Sequence, residues 1–483
     1  MARWHQIVAA IILVACIACI GYFSYKYSQQ NQVLKHGHYG VIIDAGGTGS
    51  RLYVYEYRSE DDIRNIFSKK CEKQGLTQYS NITELRPLLI QCLHDAEAEI
   101  PKDIIKSTPL FMKATAGMRK LKLQDGTKYK NVWSEVRKIL SDGNFPVSTV
   151  GTIPGKDEAT YSWTTVNKVF PSKESNGIIE IGSTSLQIAF APASGTNLPA
   201  AYSSEVDING GNYKIYATSY LCLGKEEFMR RYYAELVRDA NYSTTVDNPC
   251  GNKGYELNLT EQYLWEKQPC ISGAFANSFL GQSIPSDPSS GKLYTMKGSG
   301  DYTQCQNNVQ KLFDIKKCNQ TSCGMFDVFQ PQIHGKFIAI GGAAYYASKF
   351  LNLPNDFNLT TFQQHLKALC ESNVQQVEQR EGFGKYSFTY CLSNSLTNHV
   401  LQNVVQVDTT IPGNFMFTNK KTSWTLGSII KDKDQLSAAL YETVRGMSEK
   451  SYIILMVIMG VFLVVVIAYF VVSCKKRDVY DPV

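Results

Sequence analysis

The chain has 483 residues, with 29 Tyr, 22 Phe and a charged fraction of 19%. It is long enough for two domains with sizeable cores, and no segment is of low complexity. The net charge of +6 is spread out, with no dense Lys/Arg block outside the C-terminal tail, which argues against nucleic acid as a partner.

Ile7 to Phe23 is apolar and uncharged, and Lys26 follows. The run is long for a signal-peptide core, and the small residues near Ala15 and Ala18 make a poor cleavage site. Residues 7–24 therefore read as an uncleaved membrane anchor after a short cytosolic stretch, 1–6. Ser28 to Gly40 reads as a polar linker. Residues 41–57, VIIDAGGTGSRLYVYEY, predict a strand, a tight turn and a second strand. The first strand ends in an acid, Asp44, and the turn is made of Gly46, Gly47, Thr48, Gly49 and Ser50. Gly lets backbone N–H groups approach an anion and hydroxyls add donors, so this is a candidate phosphate cradle.

A helix is expected near 81–99, from the spacing of Leu85, Leu88, Leu89 and Leu93. A buried strand, Leu110–Ala114, runs into ATAGMR at 114–119. Thr115 is either a phosphate contact at a strand end or the cap of a following helix; a helix N-terminus is itself an anion site. A helix around 131–140 and a strand around 147–153 follow, and then a turn feeding a helix at 155–170. Asp157 and Glu158 stand at the start of that helix, where acids commonly complement the dipole.

Residues 178–192, IIEIGSTSLQIAFAP, repeat the first device, with Glu180 in place of Asp44 and Gly182, Ser183 and Thr184 in the turn. Ser185 and Gln187 alternate on one strand face, so both are expected to point into a cleft and orient a water. Two such hairpins suggest a polyphosphate held between two related lobes, with the two acids placed to hold a hydrated divalent cation. Cys222 to Cys323 reads as a loop-rich, disulfide-bearing insertion. A buried strand, Phe337–Ile340, precedes GGAAYYASKF at 341–350, and SWTLGSI occupies 423–429. Ile453 to Val472 is a 20-residue apolar run followed by Lys475, Lys476 and Arg477, so 452–473 reads as a membrane span with a cytosolic tail at 474–483.

Of the 13 Cys, Cys16, Cys19 and Cys474 lie in or beside the apolar runs. The remaining even number reads as disulfides formed in a secretory compartment. Cys318 and Cys323 suggest a short loop; spacing leaves the other pairings open. Five N-x-S/T sequons, at Asn81, Asn241, Asn258, Asn319 and Asn358, agree with exposure to the lumen or the outside.

The ordered set DAGGTGSR, ATAGMR, GKDEATYSW, EIGSTSLQ and SWTLG resembles the five conserved regions of the ecto-nucleoside triphosphate diphosphohydrolases, or ecto-apyrases, of the two-span cell-surface type. That resemblance covers the whole chain. It implies an α/β fold of two RNase-H-like lobes, of the actin, sugar-kinase and heat-shock ATPase type, with a transmembrane helix at each end. Lobe I would comprise 36–151 plus 418–450, and lobe II 152–417 with the insertion. It implies hydrolysis of nucleoside tri- and diphosphates dependent on Ca2+ or Mg2+. Glu158 matches the family's general base, and Ser185 and Gln187 its water-orienting residues. Asp44 and Glu180 match acids that hold the metal through water, and Thr48 and Thr115 match phosphate contacts. Tyr345 and Tyr346, with Lys225, fall where relatives contact the base. The family's cysteine order pairs 71–92, 222–270, 250–305, 318–323 and 370–391.

Three departures stand out: Glu180 where the family usually has Asp, Ser183 in place of Gly, and Lys225 where Arg would stack better on a base. The expected location is the plasma membrane with an extracellular catalytic domain, or else a secretory or vesicle membrane. Homo-oligomerisation is left open. The competing expectations are a lumenal nucleoside diphosphatase and a catalytically weak nucleotide-binding receptor.

Overall fold

The computed structural model describes residues 2–35, 38–59, 62–72, 74–79, 81–266, 268–286, 291–314, 316–354, 357–406, 411, 413–418, 422–432 and 449–478. The motifs described above fall inside these ranges; most of the C-terminal stretch expected to complete lobe I, 433–448, lies outside them, as does the end of the tail, 479–483.

The first sheet is built from β1 (His38–Gly46), β2 (Gly49–Ser59), β3 (Asp62–Lys70), β4 (Leu110–Ala114) and β5 (Val147–Thr152), in the order β3-β2-β1-β4-β5. β1, β2 and β3 form an antiparallel meander, and β4 and β5 continue parallel to β1. Successive residues of β1 face opposite sides, as a strand requires. Val41, Ile43 and Ala45 pack with the helices Leu85–Glu97, Ala116–Gln124 and Gly126–Ser141, while Ile42 faces Tyr53, Tyr55, Phe111, Trp424 and Ile429.

The second sheet repeats the plan. It contains β6 (Gly177–Ile181), β7 (Ser185–Phe190), β8 (Ser203–Ile208) and β9 (Gly211–Leu221). The Cys222–Cys323 insertion is more ordered than expected. It carries the helix Lys225–Asp239 and its own small sheet of β10 (Thr245–Asn248), β11 (Glu256–Thr260) and β12 (Leu293–Gly298), in the order β10-β12-β11. The second sheet is completed by β13 (Phe337–Ile340) and β14 (Phe415–Phe417), giving β14-β13-β6-β7-β9-β8. Leaving out the edge strand β8, the order β9-β7-β6-β13-β14 reproduces that of the first sheet.

Two helices lie between the sheets. Gly155–Val169 packs Ala159, Trp163 and Val166 on the second sheet, and Trp424–Lys431 packs on the first. They are joined to each other through Thr165, whose hydroxyl donates to Ser423 O at 3.0 Å and accepts from Gly427 N at 2.8 Å. Five disulfides, Cys71–Cys92, Cys222–Cys270, Cys250–Cys305, Cys318–Cys323 and Cys370–Cys391, staple the loops, one on the first-sheet side and the rest on the second. The sequon residues Asn81, Asn241, Asn258 and Asn319 are exposed and Asn358 is half-buried.

The terminal helices differ from the expectation of two equal spans. Among the described residues one helix is long and apolar enough to cross a membrane, over Ser451–Tyr469. The N-terminal helix, Ala2–Lys35, has a shorter apolar stretch, Ala10–Tyr25. That helix also continues through most of the expected polar linker, because 28–35 contains no Gly or Pro to stop it. The two helices touch: the Tyr27 and Tyr452 rings stack at 3.9 Å, and Tyr452 donates to Ser24 Oγ at 3.2 Å.

Candidate active site

The two hairpins face each other across one cleft of about 770 Å3. In the first, β1 and β2 pair down to Gly46 opposite Gly49, leaving Gly47 and Thr48 as the turn. Gly49 has φ +141°, a conformation that disfavours any side chain. In the second, Gly182 N donates to Ser185 O at 3.0 Å, and Ser183 and Thr184 form the tip. A β-carbon placed on Gly47 would stand 2.7 Å from Ser183 Oγ and 3.1 Å from Thr184 Oγ1, so the tips nearly touch.

The cleft is lined by most of the residues singled out above. Asp44, Gly46, Gly47, Thr48, Gly49, Ser50 and Thr115 stand on the first-sheet side, and Glu158, Glu180, Gly182, Ser183 and Lys225 opposite; Tyr345 and Tyr346 line it too. Thr115 makes no side-chain capping bond to the helix it precedes; its side chain belongs to the cleft. Thr184, Ser185 and Gln187 do not line the cleft. Ser185 and Gln187 are buried beneath its floor, where Gln187 Nε2 donates to Ser185 Oγ and, at 3.0 Å, to Ser219 Oγ.

Glu158 is the central acid. It sits in the first turn of Gly155–Val169 and is buried. Its Oε2 accepts from Arg119 Nη2 at 2.7 Å, and the same nitrogen reaches Ser185 Oγ at 3.2 Å and Ser219 Oγ at 3.3 Å. Glu180 accepts from Ser162, which lies one turn after Glu158 on the same helix. The longer Glu at this position is thus held by a hydroxyl from the helix between the sheets.

Burial pushes the Asp44 carboxyl up to about 7, and repulsion from Glu158 adds to it. Burial pushes Glu180 up to about 8, again with Glu158 contributing. Glu158 is raised by burial and partly held down by Arg119. Asp44 Oδ1 is buried with no hydrogen-bond partner among the described residues. Three neighbouring acids, Glu158 and Glu180 near Arg119 and Asp44 near Arg51, with an orphaned carboxylate oxygen on Asp44, are the donor set that a hard divalent cation fits.

Part of the cleft wall is aromatic. Tyr345 and Tyr346 meet edge to face at 5.4 Å. Lys225 Nζ lies 5.0 Å from the Tyr386 ring and 5.2 Å from the Tyr390 ring. Burial lowers the Lys225 ammonium to about 8.

Several of these neighbours were not singled out in sequence. Arg119 stood inside ATAGMR, but nothing local tied it to Glu158, 39 positions away. Tyr386 and Tyr390 lie in a stretch without a motif, and Ser162 and Ser219 become visible only once the helix and β9 are placed against the second hairpin.

Comparison with known proteins agrees with this layout. The chain is similar to ectonucleoside triphosphate diphosphohydrolase 3 of Homo sapiens, at 26% identity over 465 residues, covering 90% of this chain and 86% of that protein. It is similar to ectonucleoside triphosphate diphosphohydrolase 8 of Gallus gallus, at 28% identity over 461 residues, covering 87% and 89%. The crystal structure of nucleoside triphosphate hydrolases from Neospora caninum shares the fold with a TM-score of 0.64 at 16% identity, over 84% of this chain and 94% of that one. The model of the GDA1/CD39 (nucleoside phosphatase) family matches residues 30–445, which take in both sheets and every cleft residue, and the chain belongs to that family.

Proposed function

We propose that the protein hydrolyses extracellular nucleoside tri- and diphosphates to the monophosphate and inorganic phosphate, by attack of water on the terminal phosphorus. The observation that carries this reading is Glu158, a buried carboxylate on the cleft floor between two facing Gly/Ser/Thr hairpins. The hairpins receive the phosphates through backbone N–H groups and the hydroxyls of Thr48, Ser50, Ser183 and Thr115. Tyr345, Tyr346, Tyr386 and Tyr390 offer ring faces to a nucleobase, with Lys225 between the last two.

Glu158 takes the proton from the attacking water. Arg119 holds one of its oxygens, which fixes the carboxylate and keeps it from rising further toward the protonated form. Ser185 and Gln187, locked to each other and to Arg119, support that arrangement from below. Asp44 and Glu180 would hold Ca2+ or Mg2+ through water. A bound divalent ion supplies charge neutralisation on the phosphate oxygens. Most of the rate enhancement is then positioning and electrostatics, as in other phosphoryl transfers.

The two sheets are read as the two lobes, 36–151 plus 418–450 and 152–417. The N-terminal helix is read as a second span packed on the C-terminal one, with both termini cytosolic and the cleft outside the cell; the paired Tyr27 and Tyr452 support this. Expressed in membranes, the wild type should convert ATP to ADP and AMP in a chromatographic time course and lose that activity in EDTA. Glu158→Gln should cut turnover by about 10²–10⁴-fold without loss of folding. Wild-type turnover in that variant would remove Glu158 from the mechanism.

A further inference from the structure

Two helices begin at the phosphate-facing elements, one on each side of the cleft. Ala116–Gln124 starts directly after Thr115. Lys225–Asp239 starts on the second hairpin, where Lys225 N donates to Gly182 O and Glu226 N to Ser183 O, both at 2.9 Å. One turn into the first helix, Lys120 Nζ reaches across to Glu227 Oε1 at 2.6 Å and to Gln268 Oε1 at 3.2 Å. The other oxygen of Glu227 accepts from Arg230 Nη1 at 2.6 Å, and Arg230 also reaches Gln268 Oε1 at 3.2 Å. Gln268 stands two residues before Cys270, which is bonded to Cys222.

This ion pair is not a surface ornament. The Lys120 and Glu227 side chains are 15% and 4% exposed, far from the regime in which salt bridges contribute little. Neither residue lines the cleft. Each is rigidly one turn from an element that does, so the pair acts on distance and not by contact. A helix of this length transmits a shift at Lys120 directly to Thr115 and the tip of the first hairpin, since a β-carbon on Gly117 would stand only 3.0 Å from Gly47 Cα.

We infer that the Lys120–Glu227 bridge, backed by Arg230 and Gln268, sets the separation of the two phosphate-facing elements and so holds the cleft at the width that accepts a nucleotide. Lys120 and Glu227 are positioning residues, and the assignment rests on reading the cleft as a nucleotide site. Without the bridge, the nucleotide-ready width is populated for a smaller fraction of the time, and apparent affinity falls by that fraction.

The test uses the full chain in detergent with Mg2+ and a non-hydrolysable ATP analogue, titrated by calorimetry, alongside steady-state ATP hydrolysis. Lys120→Met should weaken analogue binding about tenfold and raise KM in parallel, with kcat within about twofold of wild type. Lys120→Arg should restore both, and Lys120→Met combined with Glu227→Gln should be no worse than Lys120→Met alone. If Lys120→Met does not fold, Glu227→Gln takes its place with the same expected loss. Wild-type affinity and KM in the broken variants, with only a lowered melting temperature, would overturn the inference. A wild type that neither binds the analogue nor hydrolyses ATP would instead overturn the functional reading.

Discussion

Replacing Arg119 by Met removes the only cation hydrogen-bonded to Glu158 among the described residues while keeping the bulk of the side chain. The pair is close, at 2.7 Å, and its side chains are only 16% and 7% exposed, so the values for buried pairs apply. Removing one partner of a buried ion pair costs about 3–5 kcal/mol. Arg119 keeps part of its side chain in solvent, so the lower end, about 3 kcal/mol, is the appropriate figure. At about 1.4 kcal/mol per tenfold, this corresponds to roughly a hundredfold in the folding equilibrium, and the same lost attraction disfavours the ionised form of Glu158. The sign is fixed by the role: a base works only when deprotonated, and losing the guanidinium favours the protonated form. The acid limb of the kcat/KM profile should therefore move to higher pH, with activity recovering partly as pH rises. Phosphate release from ATP between pH 5.5 and 9.5, at saturating divalent metal, measures this directly. An Arg119→Met enzyme whose acid limb stays at the wild-type position, however slow it is, would refute the idea that Arg119 acts through Glu158.

Two further outcomes are expected. Gly75→Val should displace the first hairpin, because a β-carbon there would stand 2.2 Å from Gly47 O; overpacking of this kind costs about 1–3 kcal/mol and should raise KM for ATP while lowering the melting temperature. In EDTA, the folded state holds protons on Asp44 and Glu180 that the unfolded chain releases, since burial raises them from 3.8 to about 7 and from 4.5 to about 8. Their contribution is fully present below about pH 4 and is lost as pH rises through 7 to 8, on the order of 4 kcal/mol for Asp44 alone. Melting temperature without metal should fall over that range, and Asp44→Asn should flatten the slope.

Much of the architecture was legible because local signals and burial agree. The β-branched run before Asp44 and the similar run before Glu180 could only be buried strands, and Gly-rich turns between apolar runs could only be hairpins. The cleft's polar contents were harder. Ser185 and Gln187 were placed on one strand face correctly, but alternation does not say whether that face meets solvent or a layer of other side chains; here Arg119 and Ser219 cover it. Arg119, Ser162 and Tyr386 gain their neighbours through contacts between distant segments, which no local spacing encodes. The polar stretch after the N-terminal apolar run looked like a linker because polarity was weighed above helix propensity, and no breaker residue ends the helix before Lys35.

The helix Trp424–Lys431 has a consequence for biosynthesis. Thr418, Thr422, Ser423 and Trp424 form part of the same cleft wall as β1, whose strand begins at His38. The pocket is therefore closed by segments almost 400 residues apart in sequence, Asp44 to Trp424. Folding during synthesis proceeds from the N-terminus. The first hairpin can form early, yet the wall it belongs to stays open until residue 424 has left the ribosome. A chain stalled or truncated before residue 424 would carry both hairpins and Glu158 and still lack a complete site, so catalytic competence arrives long after the hairpins themselves have been made.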